Sequence, residues 1–254
     1  MDGVTGTHLG IRSICRRLRP PAPIGWGAIS KMAIVVDTKD CTALTDADVA
    51  ELADMGTATP IDFGVGLLSK AKESWVLCTT ARIEGKLHGY MFTTLERIGG
   101  TPCVLVGLLS VKRSSKRDTV LRGLMAEAYH RALMAFPDED VLVGTRFATA
   151  SGFEAFKALT DIVPRPGHKA VGEERAWGRR LAKRFAVDGT YDEQAFIVKG
   201  TGSLAAHLDH DSLKPDAIDA QINAMFKGVR PLKGDSLIAC GWAMAEQLVK
   251  LGKH

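Results

Sequence analysis

The sequence has few aromatic residues, no paired cysteine motif and no long apolar run. Aromatic side chains make up 6% of the 254 residues, and the five cysteines are scattered without a CxxC pair. An odd, unpatterned set of cysteines predicts buried free thiols in a reducing, cytoplasmic compartment rather than a disulfide framework. The longest apolar run near the middle, CVLVGLLSV, is too short to cross a bilayer, so no membrane is expected as a partner.

Most of the chain also lacks an excess of charge. Residues 1–31 carry one acidic residue, Asp2, and five basic ones, which are Arg12, Arg16, Arg17, Arg19 and Lys31. Without this segment, the totals of 33 basic and 29 acidic residues become 28 of each. A neutral body, with no aromatic residues interleaved among its basic ones, predicts that the protein does not bind nucleic acid.

The chain divides by composition into three parts. Residues 1–31 are rich in Gly, Pro and Arg and lack the apolar stretch of a secretory signal, so we expect a disordered leader. Residues 32–202 are expected to form the main domain, and residues 203–254 a helical C-terminal extension. Within the latter, His207 and His210 lie close together, but no further ligand is evident and no metal site is predicted.

Apolar patterns predict strands and helices in mixed order over residues 33–200. A strand at 33–37 precedes two helices, the first opened by Thr45 and Asp48 in a variant of the capping box. A meander of three strands turns at Glu84-Gly85 and at residues 99–102. The remaining predicted elements are a helix that Pro137 stops, a strand at 140–148, a short helix from Ser151, a basic helix at 174–186, a strand at 195–200, and helices at 212–227 and 235–251.

A short basic loop joins the last meander strand to the helix that follows. The stretch LSVKRSSKRDTVLRGLMAEA places Lys112, Arg113, Lys116 and Arg117 directly before that helix. A helix start already carries unpaired N–H groups and a partial positive charge, so added cations are unfavourable there unless an anion binds. The loop therefore indicates a phosphate-bearing ligand, with a solvated charged turn as the alternative.

This order of elements resembles the GNAT-type N-acetyltransferases, of the acyl-CoA N-acyltransferase superfamily, over roughly residues 33–200. The resemblance implies an α+β fold with a largely antiparallel mixed sheet flanked by helices, and acetyl-CoA as co-substrate. In that family, backbone N–H groups of the loop and helix start bind the CoA pyrophosphate. Here Arg117, Thr119 and Leu121 stand where small residues are usual, and Lys116 takes the place of an Arg or Gln.

The resemblance also implies which residues would form the site. The cofactor-binding residues would be Leu109, Val111, Lys112, Arg113, Lys116, Arg117 and Thr119. Glu96 is the candidate general base, and Tyr90, on the same predicted strand face as His88, would line the pocket or take part in catalysis. Phe156 stands about where many members of the family have a Tyr that protonates the departing thiolate.

Two functions follow from this interpretation. The first is an acyl-CoA-dependent N-acyltransferase that acts on a small-molecule or peptide amine. The second is a catalytically inactive module with the same fold that binds a CoA-like ligand or a protein partner, which the glycine-poor loop and Phe156 favour. The role of the C-terminal extension stays open between forming a homodimer and covering the pocket.

Deleting residues 1–31 should change the melting temperature by no more than a few degrees, because this segment has no periodic apolar pattern with which to pack on the fold. A thermal melt of the shortened chain beside the full chain measures this. A loss of roughly 2–3 kcal/mol would lower the melting temperature well beyond that and would mean that the segment packs on the fold.

Overall fold

The computed structural model describes residues 33–56, 63–201, 208–209 and 218–252, together with Met1 and Gly3. The predicted leader lies outside the described residues apart from Met1 and Gly3, and so do His207 and His210. No helix within the described ranges is long and apolar enough to cross a membrane.

The described strands and helices follow one another in much the order that the sequence predicts. The strands are β1 (Ile34–Asp40), β2 (Leu77–Ile83), β3 (Lys86–Ile98), β4 (Thr101–Val111), β5 (Val141–Phe147), β6 (Thr160–Val163), β7 (Tyr191–Asp192), β8 (Ile197–Val198), β9 (Leu208–Asp209) and β10 (Ser236–Ala243). The helices are α1 (Asp46–Gly56), α2 (Val65–Ser74), α3 (Arg117–Ala135), α4 (Gly172–Arg184), α5 (Ala220–Met225) and α6 (Ala245–Leu251).

One ten-stranded sheet organises the described part of the chain. Its order is β1-β2-β3-β4-β9-β5-β10-β8-β7, and β6 pairs with β10. Strands β4, β5 and β9 run parallel to one another, whereas the other pairs are antiparallel. The predicted fold class, a largely antiparallel mixed sheet flanked by helices, is confirmed.

Helices cover both faces of this sheet. On the back face, Leu121, Leu124 and Met125 of α3 pack in one apolar cluster with β-strand residues and with Leu248 of α6. On the front face, α1 and α2 form a second cluster, and Leu181 of α4 belongs to a third. Because both faces are covered, the central strands are apolar along most of their length.

Two local predictions are confirmed at the level of hydrogen bonds and dihedral angles. Asp48 Oδ2 accepts the Thr45 backbone N–H at 2.8 Å, and the Asp48 N–H donates back to Thr45 Oγ1 at 3.1 Å. These bonds lower the pKa of Asp48 to about 2. The β2–β3 turn has positive φ at both Glu84 and Gly85, as a tight hairpin of this kind requires.

The prediction of a helix over residues 235–251 is wrong in its first half. Residues 236–243 form β10, which pairs with β5 from Leu237 opposite Phe147 to Ala243 opposite Val141. Helix α6 begins only at Ala245. A buried strand between two neighbours is apolar on both faces, so its sequence lacks the alternation that distinguishes a strand from a helix.

Residues 150–163 also differ from the prediction. The short helix expected from Ser151 is a 3-10 helix over Ala150–Phe156. Strand β6, which follows it, was not predicted. The described part of the helix expected at 212–227 is α5, over Ala220–Met225.

Replacing Leu124 by Ala should lower the free energy of unfolding by about 2–5 kcal/mol, because its fully buried side chain would leave a cavity under α3. Urea denaturation measures the loss. Met134→Ala on the same helix is the control: its side chain is 72% exposed, so a change within about 0.5 kcal/mol is expected. Equal losses in the two variants would contradict the observed orientation of α3.

Candidate functional site

A bulge in β4 ends its pairing with β5. Val106 of β4 lies opposite Thr93 of β3, and Leu109 lies opposite Met91, so Gly107 and Leu108 together face one residue of β3. The parallel β4–β5 ladder stops at the same level, at the pair Val106–Thr145. A bulge bends and twists its strand, and the two strands separate beyond this point.

The bulge depends on a residue without a side chain. A Cβ atom at Gly107 would lie 2.0 Å from Cε2 of Trp75, whose ring covers this position. A side-chain hydrogen bond also links the last β4–β5 pair: Thr145 Oγ1 donates to the Val106 carbonyl oxygen at 2.8 Å. These contacts fix where the strand opening begins. We use this term for the gap between residues 108–111 of β4 and residues 146–148, at the end of β5.

Strand β9 lies in the strand opening. Its backbone pairs with Leu109 and Ser110 of β4 on one side and with Phe147 of β5 on the other. The part of β4 that holds the predicted cofactor-binding residue Leu109 is therefore paired with a later part of the same chain.

The basic loop and the start of α3 use several of their own backbone N–H groups. The Lys112 N–H donates to the His88 carbonyl oxygen at 2.8 Å, and the Arg117 N–H to that of Ser114 at 3.2 Å. The Lys116 N–H donates to Ser114 Oγ at 3.3 Å, and the Thr119 N–H to the Lys116 carbonyl oxygen at 3.0 Å. An anion at this loop would therefore depend mainly on side chains, unlike the backbone cradle that the resemblance implies.

The basic side chains of the loop differ in exposure. Arg113, Lys116 and Thr119 are exposed, and Lys112 is half-buried. Arg117 is buried, with 1% of its side chain exposed, and its Nη2 lies 3.2 Å from Asp118 Oδ1. The structure thus places three predicted cations where an anion in solvent can reach them, and encloses the fourth.

The other predicted residues of β3 and β4 divide between the two faces of the sheet. Leu109 and Val111 point to the back face, into the cluster under α3. Tyr90 is fully buried in the front-face cluster of α1 and α2 and lies opposite Ser110 in the β3–β4 ladder. Directly paired residues share a face, so the Tyr90 and Ser110 hydroxyl-bearing side chains are neighbours beside the strand opening.

Sequence reasoning missed Ser110 as a site residue. Its side chain is fully buried, and Oγ has no hydrogen-bond partner within the part of the chain that the structure describes. A polar residue in the otherwise apolar stretch VLVGLLSV was the available signal, because a buried hydroxyl without a partner is unfavourable unless a ligand supplies one.

The structure does not bring Glu96 to the other predicted site residues. Glu96 lies opposite Cys103 of β4, and Glu96 Oε1 accepts a 2.5 Å hydrogen bond from Arg184 Nε at the end of α4. Val111 lies eight residues along β4 from Cys103, which is about 26 Å of strand. The Glu96 side chain forms an ion pair at the far end of the β3–β4 ladder. The geometry therefore gives no support to the predicted role of Glu96 as a base.

His88 does not continue the predicted row of front-face side chains. Arg82 of β2 pairs with Leu87 and Ala81 pairs with Gly89, so His88 is an extra residue in β3. Leu87, rather than His88, shares the front-face cluster with Tyr90. Burial chiefly lowers the pKa of His88, and Lys112 and Lys86 lower it further against a weaker opposing effect of Glu84.

Phe156 is part of the back-face core. Its ring is fully buried and lies 4.9 Å from that of Phe147, centroid to centroid, in an edge-to-face arrangement. Four of the predicted buried thiols, those of Cys41, Cys78, Cys103 and Cys240, are buried and free. Neither Phe156 nor these cysteines reach the strand opening as reactive groups.

No known protein family matches the chain, and no curated protein matches its sequence. Parts of solved acetyltransferase structures are similar. Aminoglycoside 6'-acetyltransferase type Ii is 12% identical, with 51% of this chain and 86% of that one covered and a TM-score of 0.39. The ribosomal-protein-S18-alanine N-acetyltransferase from Escherichia coli is 11% identical, with coverage of 55% and 86% and a TM-score of 0.34.

A GNAT family acetyltransferase from Brucella melitensis in complex with acetyl-CoA is 16% identical, with coverage of 43% and 75% and a TM-score of 0.32. Identities and TM-scores this low assign neither a substrate nor an activity to the chain. The case for a function therefore depends on the geometry of the strand opening and the basic loop.

Replacing Lys112 by Ala should raise the pKa of His88, because one of the cations that disfavour its protonation is removed. Titration of the His88 ring signals by NMR measures the change, with Lys157→Ala as a control on the 3-10 segment after β5. In the parent protein, the native state binds this proton less tightly than the unfolded chain. The contribution of His88 to the free energy of unfolding therefore falls as pH drops from about 6.5 toward the lower native pKa. An unchanged His88 titration in Lys112→Ala would mean that Lys112 does not lower the pKa of His88.

Proposed function

We propose that the protein is an acyl-CoA-dependent N-acyltransferase that moves an acetyl or other short acyl group to an amine. The observation that carries the proposal is the strand opening: two parallel strands separate at a bulge, and β4, on one side of the opening, leads directly into a basic loop and the start of α3. An extended thioester arm fits along such an edge, with its phosphates at the loop.

In the proposed reaction, the nitrogen of an unprotonated amine attacks the thioester carbonyl carbon. The new C–N bond forms and the C–S bond breaks, so that the CoA thiolate leaves and takes up a proton while the nitrogen loses one. Backbone N–H groups on the β4 edge would bind the carbonyl oxygen as it gains negative charge. The hydroxyls of Tyr90 and Ser110 are the groups beside this edge that we propose to transfer or hold the proton.

The phosphates would be bound in a different way from that of a glycine-rich loop. Because several loop N–H groups already donate within the chain, the exposed Lys116 and Arg113 and the half-buried Lys112 would supply most of the contacts. These side chains are open to water, so salt screens their attraction to the phosphates. Affinity for CoA should therefore fall steeply as salt is added.

The pairing of β9 with β4 favours the second candidate function, a module that binds a ligand without catalysis. Leu109 and Ser110 cannot pair with β9 and with a thioester arm at the same edge. In the enzyme, β9 must leave this edge when acyl-CoA binds. In an inactive module, β9 would stay and only the loop would contact phosphates.

Calorimetry with acetyl-CoA and with desulfo-CoA, together with an assay for thiol release in the presence of a panel of amines, separates the two candidates. Binding of both ligands with amine-dependent thiol release supports the acyltransferase. Binding without thiol release for any amine in the panel supports the inactive module. No measurable affinity for any CoA ester at millimolar concentration would contradict the acyltransferase and a module that binds a CoA-like ligand.

Lys116→Ala should weaken CoA binding by about 1.5–3 kcal/mol, the range for a hydrogen bond to a charged group. The loss should shrink as salt is raised, because the side chain is exposed. Arg179→Ala, on α4, is the control and should leave CoA affinity unchanged, since Arg179 is paired with Glu193 at 2.6 Å. Equal affinities of Lys116→Ala and the parent protein would show that this lysine does not contact the phosphates.

A further inference from the structure

Arg146, on β5, is a buried cation outside the basic loop. The side chain of Arg146 is only 6% exposed, and its Nε donates to Ser236 Oγ of the neighbouring β10 at 2.9 Å. No carboxylate pairs with it in the described ranges of the chain. A buried charge without a counter-ion is strongly unfavourable, and proteins rarely keep one without a function.

The surroundings of Arg146 offer no compensation for its charge. Burial lowers the pKa of Arg146 to about 10, and no neighbouring charge acts against that effect. Asp235, adjacent to Ser236 in sequence, is already engaged: its Oδ1 accepts the Gly200 N–H at 2.8 Å, and its Oδ2 accepts from Arg230 Nε at 2.9 Å. Among the described residues, the guanidinium Nη atoms make no hydrogen bond, so they can donate to a bound anion.

A cavity lies where such a partner would bind. Arg146 lines a space of about 270 Å³ on the front face, together with Lys199 and the backbone of residues 189–190 and 200–201. Among the described residues that line it, two are cations and none is acidic. Gly189 contributes no side chain to this wall, and the space where its Cβ would lie is open, which leaves room for an anion there.

Arg146 lines the cavity and also lies beside the strand opening. Arg146 directly follows Thr145, the last residue of β5 paired with β4, and precedes Phe147, which pairs with β9. Along β5, Gly144 contacts Leu181 of α4, and Ala148 belongs to the front-face cluster that contains Tyr90. Arg146 alternates with them and therefore points to the same face.

We propose that this cavity binds an oxyanion, a carboxylate or a phosphate, that belongs to the amine acceptor. That the anion belongs to the acceptor rests on the proposed acyltransferase function; that the cavity binds an anion does not. The planar guanidinium presents paired N–H donors that match the two oxygens of such a group. Binding there would supply the missing counter-charge and hold the amine of the same molecule on the face of Tyr90 and Ser110.

The first test uses simple anions and needs no acyl-CoA. Acetate and inorganic phosphate are titrated separately into the full-length protein at constant ionic strength, with chloride as the reference salt, and the melting temperature is followed. One of the two anions should raise the melting temperature saturably, because it binds the folded state only. The more effective anion identifies the class of acceptor, acetate for a carboxylate and phosphate for a phosphate ester.

Variants separate a binding arginine from a structural one. In Arg146→Met, the anion affinity should fall at least tenfold, and the melting temperature without added anion should equal or exceed that of the parent, since an unpaired buried charge has been removed. Arg146→Lys, which keeps the charge but loses the paired donors, should retain part of the response. Arg179→Met, an exposed arginine of α4, should behave like the parent.

Two results would overturn the proposal: no response of the parent protein to either anion, or an undiminished response in Arg146→Met. A second measurement concerns the acceptor. Acyl transfer to an amine that carries the favoured anion should drop at least tenfold more in Arg146→Met than transfer to the matched amine without it. An equal drop for both amines would refute the acceptor's role. If anions bind but no CoA ester does, the acyltransferase fails and the anion site stands.

Discussion

The packing of Trp75 over Gly107 is the contact on which the candidate site depends. Because a Cβ at this position would lie 2.0 Å from the indole ring, only glycine allows α2 to end directly on β4. The bulge that contains Gly107 then ends the β4–β5 ladder at Val106 and Thr145. Trp75 also lies 6.2 Å from Phe185, so the same ring joins the end of α2 to the end of α4. The contact therefore lies at the level where the two parallel strands separate.

The two sets of cations near that opening act by different physics. The loop side chains are mostly exposed, so each attracts an anion separately and salt screens the attraction. Arg146 is enclosed, so its effect is strong, local and dependent on geometry. A ligand with phosphates at one end suits the loop, whereas a single small oxyanion suits the cavity. In the proposed acyltransferase, this division would hold each of the two substrates by its own anionic group.

Much of the framework could be predicted from local patterns. The cap at Thr45 and Asp48, the Glu84-Gly85 turn and the apolar stripe of α3 each depend on residues close together in the sequence. The site was harder to predict, since the row of His88, Tyr90 and Glu96 assumes unbroken alternation along β3. The extra residue at His88 breaks that alternation, and Arg184, nearly ninety residues away, engages Glu96. The lone arginine in VLVGTRF was visible in the sequence, but its significance depends on β10 and on the residues after α4.

By itself, the sequence determined the strands of the meander, the long helix that follows the basic loop and the neutrality of the body, because periodicity, turn residues and charge are properties of short stretches. Only the tertiary structure decided that residues 236–243 are a central strand, that β9 lies against β4, and that Arg146 is buried without a carboxylate partner among the described residues. Strand pairing joins segments that lie far apart in the chain, and burial depends on everything that packs around a residue. Neither can be read from its neighbours in sequence.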